Sequence, residues 1–390
     1  MSVAAACALA SLLAWLCLGL GRSGLWREAP HLGPAERSAA QPWPTVVAVV
    51  PARNEAEFVT ATLRSLLAQD YSGTFAIVLV DDHSDDGTRQ LAQRIAVGAT
   101  QPLEIVGASP LPAGWSGKLW AVEQGVRLAG QRWPQARYLL LTDADIAHTP
   151  DNLARLVAKA EREQLDLVSL MVQLRCASFW ERLLVPAFVF FFQMLYPFAA
   201  VNQAGRRTAA AAGGCMLVRR RALAQAGGIA VIRGRLIDDV ALARAIKHRP
   251  GGGRIWLGLG DSARSLRPYH RLGTLWAMVA RTADTQLDHS LLLLAATVVG
   301  MTLAFGGPVL SVLAWPIHGD AAAAGLGGTA WLAMTAAYRP TVRRYGLGWV
   351  WLLSLPLAAL LFLAMTVDSA LQHRRGAGGR WKGRVLSPEA

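Results

Sequence analysis

The sequence predicts an α/β protein: a mostly parallel sheet covered by helices, with apolar, membrane-length helices toward both ends of the chain. Three observations carry this. Short β-branched runs alternate with helical stretches of ten or more residues through the middle of the chain. Polar clusters stand at the ends of those runs, where ligands bind in open parallel sheets. Charge-free stretches close to the ~20 residues of a membrane span lie near each end.

Taken in order, residues 1–21 carry no charge, and Arg22 and Arg27 follow them. A secretory signal places its charge before the apolar run, so the pattern predicts an uncleaved anchor with its N-terminus outward. Residues 22–44 read as a linker containing Pro30, Pro34, Pro42 and Pro44. The α/β domain is expected over 45–289. Its strands are predicted at 46–50, 75–80, 103–106, 138–141 and 167–171, and its helices at 55–68, 88–97, 117–129 and 150–162. Each strand is a nearly continuous apolar run, as strands buried on both faces require.

Leu183 to Ala204 contains no charge and includes Phe188-Val189-Phe190-Phe191-Phe192. Hydropathy alone would make it a span. A single crossing there would place the acidic motifs on its two sides in different compartments, so a helix in the interface, or one buried against the anchor helices, is expected. Three apolar segments follow within 290–367: 290–316, 321–338 and 347–367, with Arg339, Arg343 and Arg344 in a cytoplasmic loop between the last two. Residues 368–390 form a basic tail. Strict alternation puts that tail outside and its charge puts it inside; a re-entrant last segment bent at Pro356 would reconcile the two.

Composition narrows the class. Hydrophobic residues make up 53% and charged residues 17%, which excludes a disordered chain. The net charge of +13 comes from 39 Lys+Arg against 26 Asp+Glu, with no basic block interleaved with aromatics, so no nucleic-acid partner is expected. Cys7, Cys17, Cys176 and Cys215 fit neither a zinc nor a disulfide spacing and suit a reducing compartment.

The chemistry-bearing clusters are six. Pro51-Ala52-Arg53-Asn54-Glu55 ends the first strand and Asp81-Asp82-His83-Ser84-Asp85-Asp86-Gly87-Thr88 ends the second. A turn and helix cap would use one or two such residues; four aspartates generate repulsion that a turn would avoid. Thr142-Asp143-Ala144-Asp145 follows the next apolar run. D-x-D alone is weak in a chain with 16 Asp, but at a strand end it aims carboxylate oxygens into the same crevice, as Mg²⁺ or Mn²⁺ requires. Gly117-Lys118 opens a helix, where backbone N–H groups and a mobile ammonium attract anions, without the spacing of a P-loop. Last come Gly213-Gly214-Cys215 and Ile237-Asp238-Asp239, the latter either a helix start complementing the dipole or a base whose pKa its neighbour raises. Fifteen basic residues against three acids lie between Arg206 and Arg281, part of them read as an apron for anionic headgroups.

In this order the motifs resemble the family 2 inverting glycosyltransferases of the GT-A fold, over about 240 residues from Val46 to Thr285. The resemblance implies a Rossmann-like catalytic domain and a nucleotide-sugar donor. Asn54, Glu55 and Asp82 would hold the nucleoside, with Pro51 and Asp81 beside them and Asp82 at the base, and Lys118 would lie near the base or diphosphate. Asp143 and Asp145 would be the D-x-D pair, Asp145 the closer ligand of a divalent cation. Asp239 would be the catalytic base with Asp238 its neighbour, and Gly213, Gly214 and Arg281 would border the acceptor.

Gly114-Trp115-Ser116-Gly117-Lys118, the 188–198 stretch, Ile237-Asp238-Asp239 and Trp381-Lys382-Gly383-Arg384 are similar to the bacterial hopene-associated glycosyltransferases. That likeness implies a multi-pass protein of the bacterial inner membrane with a cytoplasmic catalytic domain, a lipid acceptor and a link to hopanoid metabolism. Processive relatives carry Q-x-x-R-W after the base; here Met278-Val279-Ala280-Arg281-Thr282 keeps only Arg281, which implies single sugar transfer. A polyprenyl-phosphate sugar synthase would share the donor machinery, and a silent module of the same fold would serve as a membrane scaffold; intact acids at every strategic place argue against silence.

Overall fold

The structure, a computed structural model, describes residues 1–20, 29–34, 42–376, 380–381 and 384–385. Arg22, Arg27, most of the linker, and Lys382 and Gly383 of the tail lie outside the described residues. The chain divides into two compact units: an α/β unit of Pro30–Arg175, Ala200–Pro268 and Trp381–Ala390, and a helical unit of Met1–Ala29, Cys176–Ala199 and Tyr269–Arg380. Residues 176–199 and 269–289, expected within the α/β domain, therefore group with the helices.

The α/β unit is built on an eight-stranded sheet: β1 (Val46–Ala52), β2 (Phe75–Asp81), β3 (Leu103–Gly107), β4 (Tyr138–Thr142), β5 (Ile146–His148), β6 (Leu167–Gln173), β7 (Cys215–Arg219) and β8 (Ile255–Ser265). Their order is β3-β2-β1-β4-β7-β6-β8-β5. Pairs β1–β2, β2–β3, β1–β4 and β6–β8 are parallel; β7 runs antiparallel to β4 and β6, and β5 to β8. Residues 46–50 are wholly buried because helices cover both faces, which is why β1 reads as an unbroken apolar run. Its register sets Ala52 beside Asp81, so the polar ends of β1 and β2 emerge side by side.

Three local outcomes differ from the sequence expectation. β1 continues through Pro51 to Ala52. Val46 N–H donates toward β2, to Thr74 O at 2.9 Å, so by alternation residue 51 faces β4, where pairing has ended at Val49. The missing N–H of Pro51 therefore costs no ladder bond. The first helix of the unit begins at Val59 rather than Glu55, because the intervening residues are held by the β2 loop. β8 was not anticipated: its glycines interrupt the apolar pattern. Gly258 needs to be glycine because a Cβ there would stand 2.6 Å from Pro30 O, where residues 30–32 pair with the strand.

The helix Gly117–Arg132 approaches the sheet through Gly125, where a Cβ would lie 2.4 Å from Val49 Cγ1. Gly125→Ala is therefore expected to destabilise the protein by about 1–3 kcal/mol through overpacking, despite the better helix propensity of alanine. Thermal denaturation checks this; an unchanged or higher Tm would contradict it.

In the helical unit, Phe179–Leu195 starts on a capping box: Ser178 Oγ accepts from Glu181 N–H and Glu181 Oε2 accepts from Ser178 N–H. Its aromatic run is packed among helices. Phe190 stacks on Trp15 and meets Tyr338 edge-on, and Phe191 meets Phe305 and Phe362. Among the described residues two helices are long and apolar enough to cross a membrane, Leu291–Leu313 and Trp349–Arg374; Val3–Gly19 is apolar but shorter. Arg339, Arg343 and Arg344, expected in a loop, lie instead in the last turns of the helix Ala321–Arg344. Pro356 sits in the first turn of the helix Leu355–Arg374, where a missing N–H is harmless, rather than at a bend within it.

Candidate active site

The loops after β1 and β2 are stitched together. Asn54, in the left-handed region at φ 52°, donates its N–H to Ser84 Oγ at 3.0 Å and accepts from Asp85 N–H through Oδ1 at 3.1 Å. Glu55 N–H donates to Thr88 Oγ1, and Ala56 N–H donates to Asp86 Oδ2. Asp86 also accepts from Thr88. Burial pushes its carboxyl up, but the Thr88 hydroxyl and the N–H groups of Ala56 and Thr88 outweigh that and hold it below the usual range. Asp85 and Asp86 are thus part of the turn itself.

Asp81 and Asp82 are different. Both are almost fully buried at the end of β2. Asp82 faces Arg53 at 3.6 Å and His83 Nδ1 at 3.2 Å. Asp81 Oδ2 accepts from Ser84 N–H at 3.4 Å, while Asp81 Oδ1 is buried with no hydrogen-bond partner among the described residues. An unsatisfied buried acceptor costs about 1–3 kcal/mol, more when charged, and such a group calls for a donor from elsewhere.

A second group surrounds Lys118, which the helix Gly117–Arg132 presents after Ser116 caps it by accepting from Leu119 N–H. Lys118 Nζ lies 3.0 Å from Asp143 Oδ1 and 3.1 Å from Asp238 Oδ2. Burial works against its charge, yet Asp143, then Asp238 and Asp239, hold its pKa above the usual lysine range. Asp143 is raised, first by burial and then by Asp145 and Asp238, with Lys118 opposing. Asp239 lies at the start of the helix Asp238–Lys247; its Oδ2 accepts from Gly213 N–H at 2.9 Å and its Oδ1 from Val240 N–H at 2.8 Å. Burial first, and Asp238 second, push its carboxyl up to about 7, although Lys118 and the two N–H bonds pull the other way. Pro51, Lys118, Asp143, Gly213 and Asp238 line an open cleft.

The residue that sequence reasoning missed is Arg267, just beyond β8. Leu266 N–H donates to Asp145 O at 2.8 Å, which fixes the chain there. Arg267 Nε donates to Asp145 Oδ2 at 2.7 Å, one of its terminal nitrogens grips Glu55 at 2.6 and 2.9 Å, and its guanidinium lies over the Phe58 ring. It thereby ties the first cluster to the D-x-D. In the sequence it is one arginine among the fifteen basic residues between Arg206 and Arg281, with no spacing to single it out. Arg267→Ala removes charge-assisted bonds to two partly buried carboxylates and is expected to lower stability by about 1–3 kcal/mol, checked by urea denaturation; no change would show those bonds to be idle.

A buried relay also went unread. Thr142 Oγ1 meets His148 Nε2 at 3.0 Å and donates to Gly214 O at 2.8 Å, His148 Nδ1 meets Asn152, and Ser262 donates to Asn152. Burial lowers the His148 pKa to about 4, so the ring is neutral and braces the strand end that carries Asp143. Arg281 belongs to the helical unit, following the helix Leu272–Ala280.

Asp143 and Asp145 offer hard carboxylate oxygens at one strand end, a donor set suited to Mg²⁺ or Mn²⁺. Both are now neutralised by side-chain cations, which is what a pair of acids built to face positive charge needs.

The model of the family described as Glycosyl transferase family 2 matches residues 47–227, a span that holds every site residue named here except Asp238, Asp239, Arg267 and Arg281. No curated protein matches the chain in sequence. Among solved structures, the mannosyltransferase PcManGT from Pyrobaculum calidifontis, in complex with GDP-Man and Mn²⁺, is 19% identical with a TM-score of 0.56, covering 92% of this chain and 99% of that one. Staphylococcus aureus TarS 1–349 with UDP-GlcNAc is 14% identical with a TM-score of 0.40, covering 87% of this chain and 95% of that one. The family match runs from β1 to β7, and the mannosyltransferase shares the fold.

Proposed function

We propose that the chain is a metal-dependent, inverting glycosyltransferase that moves one sugar from a uridine diphosphate sugar to a lipid acceptor at the cytoplasmic face of a bacterial inner membrane, in hopanoid metabolism. The observation that carries the reading is Asp239: a carboxylate raised to about 7 and bonded to the N–H of Gly213, which lines a cleft together with Lys118, Asp143 and Asp238. A base is most effective when its pKa lies near the working pH.

In this reading the single N3–H of the uracil ring is received by the Asp81–Asp82 pair, where Asp81 Oδ1 is an open acceptor, and Asn54 and Glu55 border the ribose. Asp143 and Asp145 hold the cation, which neutralises the diphosphate where charge develops on departure. Lys118 adds a second positive charge beside the same leaving group. Asp239 takes the proton from the acceptor hydroxyl as it attacks the anomeric carbon from the opposite face, so one displacement inverts configuration with a single base. The Gly213 N–H aims Asp239 Oδ2, and the missing side chain of Gly213 leaves room for an acceptor beside Asp239 and Lys118, whereas Gly214 packs toward Val172 and Ile146. The GDP-Man and Mn²⁺ bound by the mannosyltransferase of like fold are of the same chemical kind as the ligands assigned here.

Two apolar helices of spanning length support a membrane location, with residues 1–21 as an anchor and 290–367 as membrane segments around a catalytic domain at 45–289. Lipids extracted from cells with and without the gene, fed labelled sugar nucleotides and compared by mass spectrometry, test the function; a labelled lipid present only with the gene is expected. An unchanged lipid profile together with transfer to a soluble acceptor would contradict the lipid assignment. For topology, Ser178→Cys and Gln203→Cys in a background lacking the native cysteines should both resist an impermeant thiol reagent applied from outside. Labelling of just one would establish a crossing between them.

A further inference from the structure

Apart from these acids, the helical unit carries a cluster that glycosyl transfer does not use. Asp284, in the short helix Ala283–Gln286, is buried and its N–H donates to Ser369 Oγ at 3.0 Å. Its Oδ2 meets His289 Nδ1 at 2.6 Å. His289 follows Asp288 with both residues in the left-handed region, φ 49° and 56°, and its N–H donates to Asp284 O. His373, from the last turn of the helix Leu355–Arg374, lies face to face with His289, with ring centroids 3.9 Å apart and planes 16° apart. One donor atom from each of the three residues lies within 4.8 Å of the other two.

An ion pair between Asp284 and His289 would need no second imidazole. Donor atoms on a tetrahedral ion with bonds of about 2.0–2.1 Å stand about 3.4 Å apart. Both rings are exposed enough to make that closure by rotation, while Asp284 is fixed from behind by Ser369. Two nitrogens and one carboxylate oxygen select zinc-type transition ions over Mg²⁺ or Ca²⁺, which take oxygen donors.

We propose that Asp284, His289 and His373 form a binding site for a zinc-type divalent ion, completed by water. The ion would clasp the segment before the helix Leu291–Leu313 to the end of the helix Leu355–Arg374. It is separate in residues and in chemistry from the D-x-D pair.

The test uses the full chain in detergent, with Zn²⁺ and Co²⁺ as probes. Besides any Zn²⁺ held at the D-x-D pair, one Zn²⁺ per chain is expected in calorimetry, and Co²⁺ should give the visible absorption of a nitrogen-ligated ion. His373→Gln is expected to weaken Zn²⁺ binding at least about tenfold, and the double variant His289→Ala, His373→Ala should lose it. Asp145→Asn should leave it unchanged, which separates this site from the D-x-D. Should the double variant fail to fold, the exposed His373→Gln alone decides. Zn²⁺ affinity unaffected by His373→Gln, or binding removed by Asp145→Asn, would overturn the proposal.

Discussion

Asp239→Asn is expected to bind the nucleotide sugar as wild type does and to lose turnover by about 10²–10⁴, the usual contribution of a positioned general base. The amide keeps the size of the carboxylate, and its one oxygen can accept from either the Gly213 or the Val240 N–H, so the variant loses one of these two bonds but keeps the other. It cannot take a proton. The pH profile adds a second readout. Because burial and Asp238 raise the Asp239 carboxyl to about 7, the active, ionised form is lost as pH falls below that value. Wild-type turnover should therefore drop about tenfold per unit on the acid side and level off above it, and that limb should vanish in the variant. Asp238→Asn removes the neighbour that supplies the second-largest upward push, so its acid limb should move to lower pH with a milder loss of turnover. A dead Asp238→Asn beside an active Asp239→Asn would reverse the assignment.

Asp145→Asn is expected to abolish cation-stimulated turnover, a fall of at least about 10²–10³, the scale of removing one contact to developing charge. Asparagine retains an acceptor for Arg267, so Glu55 and the β1 loop stay in place and the loss reports cation binding rather than collapse. Mn²⁺ binding followed by electron paramagnetic resonance should weaken in parallel. Wild-type activity that persists in chelator, or a variant that keeps full Mn²⁺-stimulated turnover, would contradict the D-x-D role. Asp145→Ala should show the same catalytic loss with an added drop in stability, because Arg267 then loses that carboxylate.

Much of the α/β unit was legible because its strands are buried on both faces and so leave unbroken apolar runs such as Val46–Val50 and Leu139–Leu141. The grouping of Lys118, Asp143, Asp238 and Asp239 could be expected only from motif order; the geometry brings Asp143 and, across more than 100 residues of sequence, Asp238 within salt-bridge range of Lys118, with Asp239 beside Asp238. What escaped notice has a common cause. Arg267 and the His148–Asn152–Ser262 relay act through contacts made by β5 and β8, strands too short or too glycine-rich to register as period-two patterns. Of the β2 aspartates, Asp85 and Asp86 serve the turn, a role the run of acids does not reveal, and Asp81 carries a buried oxygen with no partner among the described residues. At the other end of the chain, arginines at the end of Ala321–Arg344 suggested a loop because charge, not helix propensity, dominated the reading.

The stereochemistry of transfer tests the single-displacement mechanism without knowledge of the lipid. In the absence of acceptor, slow hydrolysis of an α-linked uridine diphosphate sugar uses water in place of the acceptor hydroxyl. Proton nuclear magnetic resonance of the sugar, read before mutarotation, should show the β-anomer first, and its release should depend on Asp239. Initial release of the α-anomer would contradict a direct displacement driven by one base.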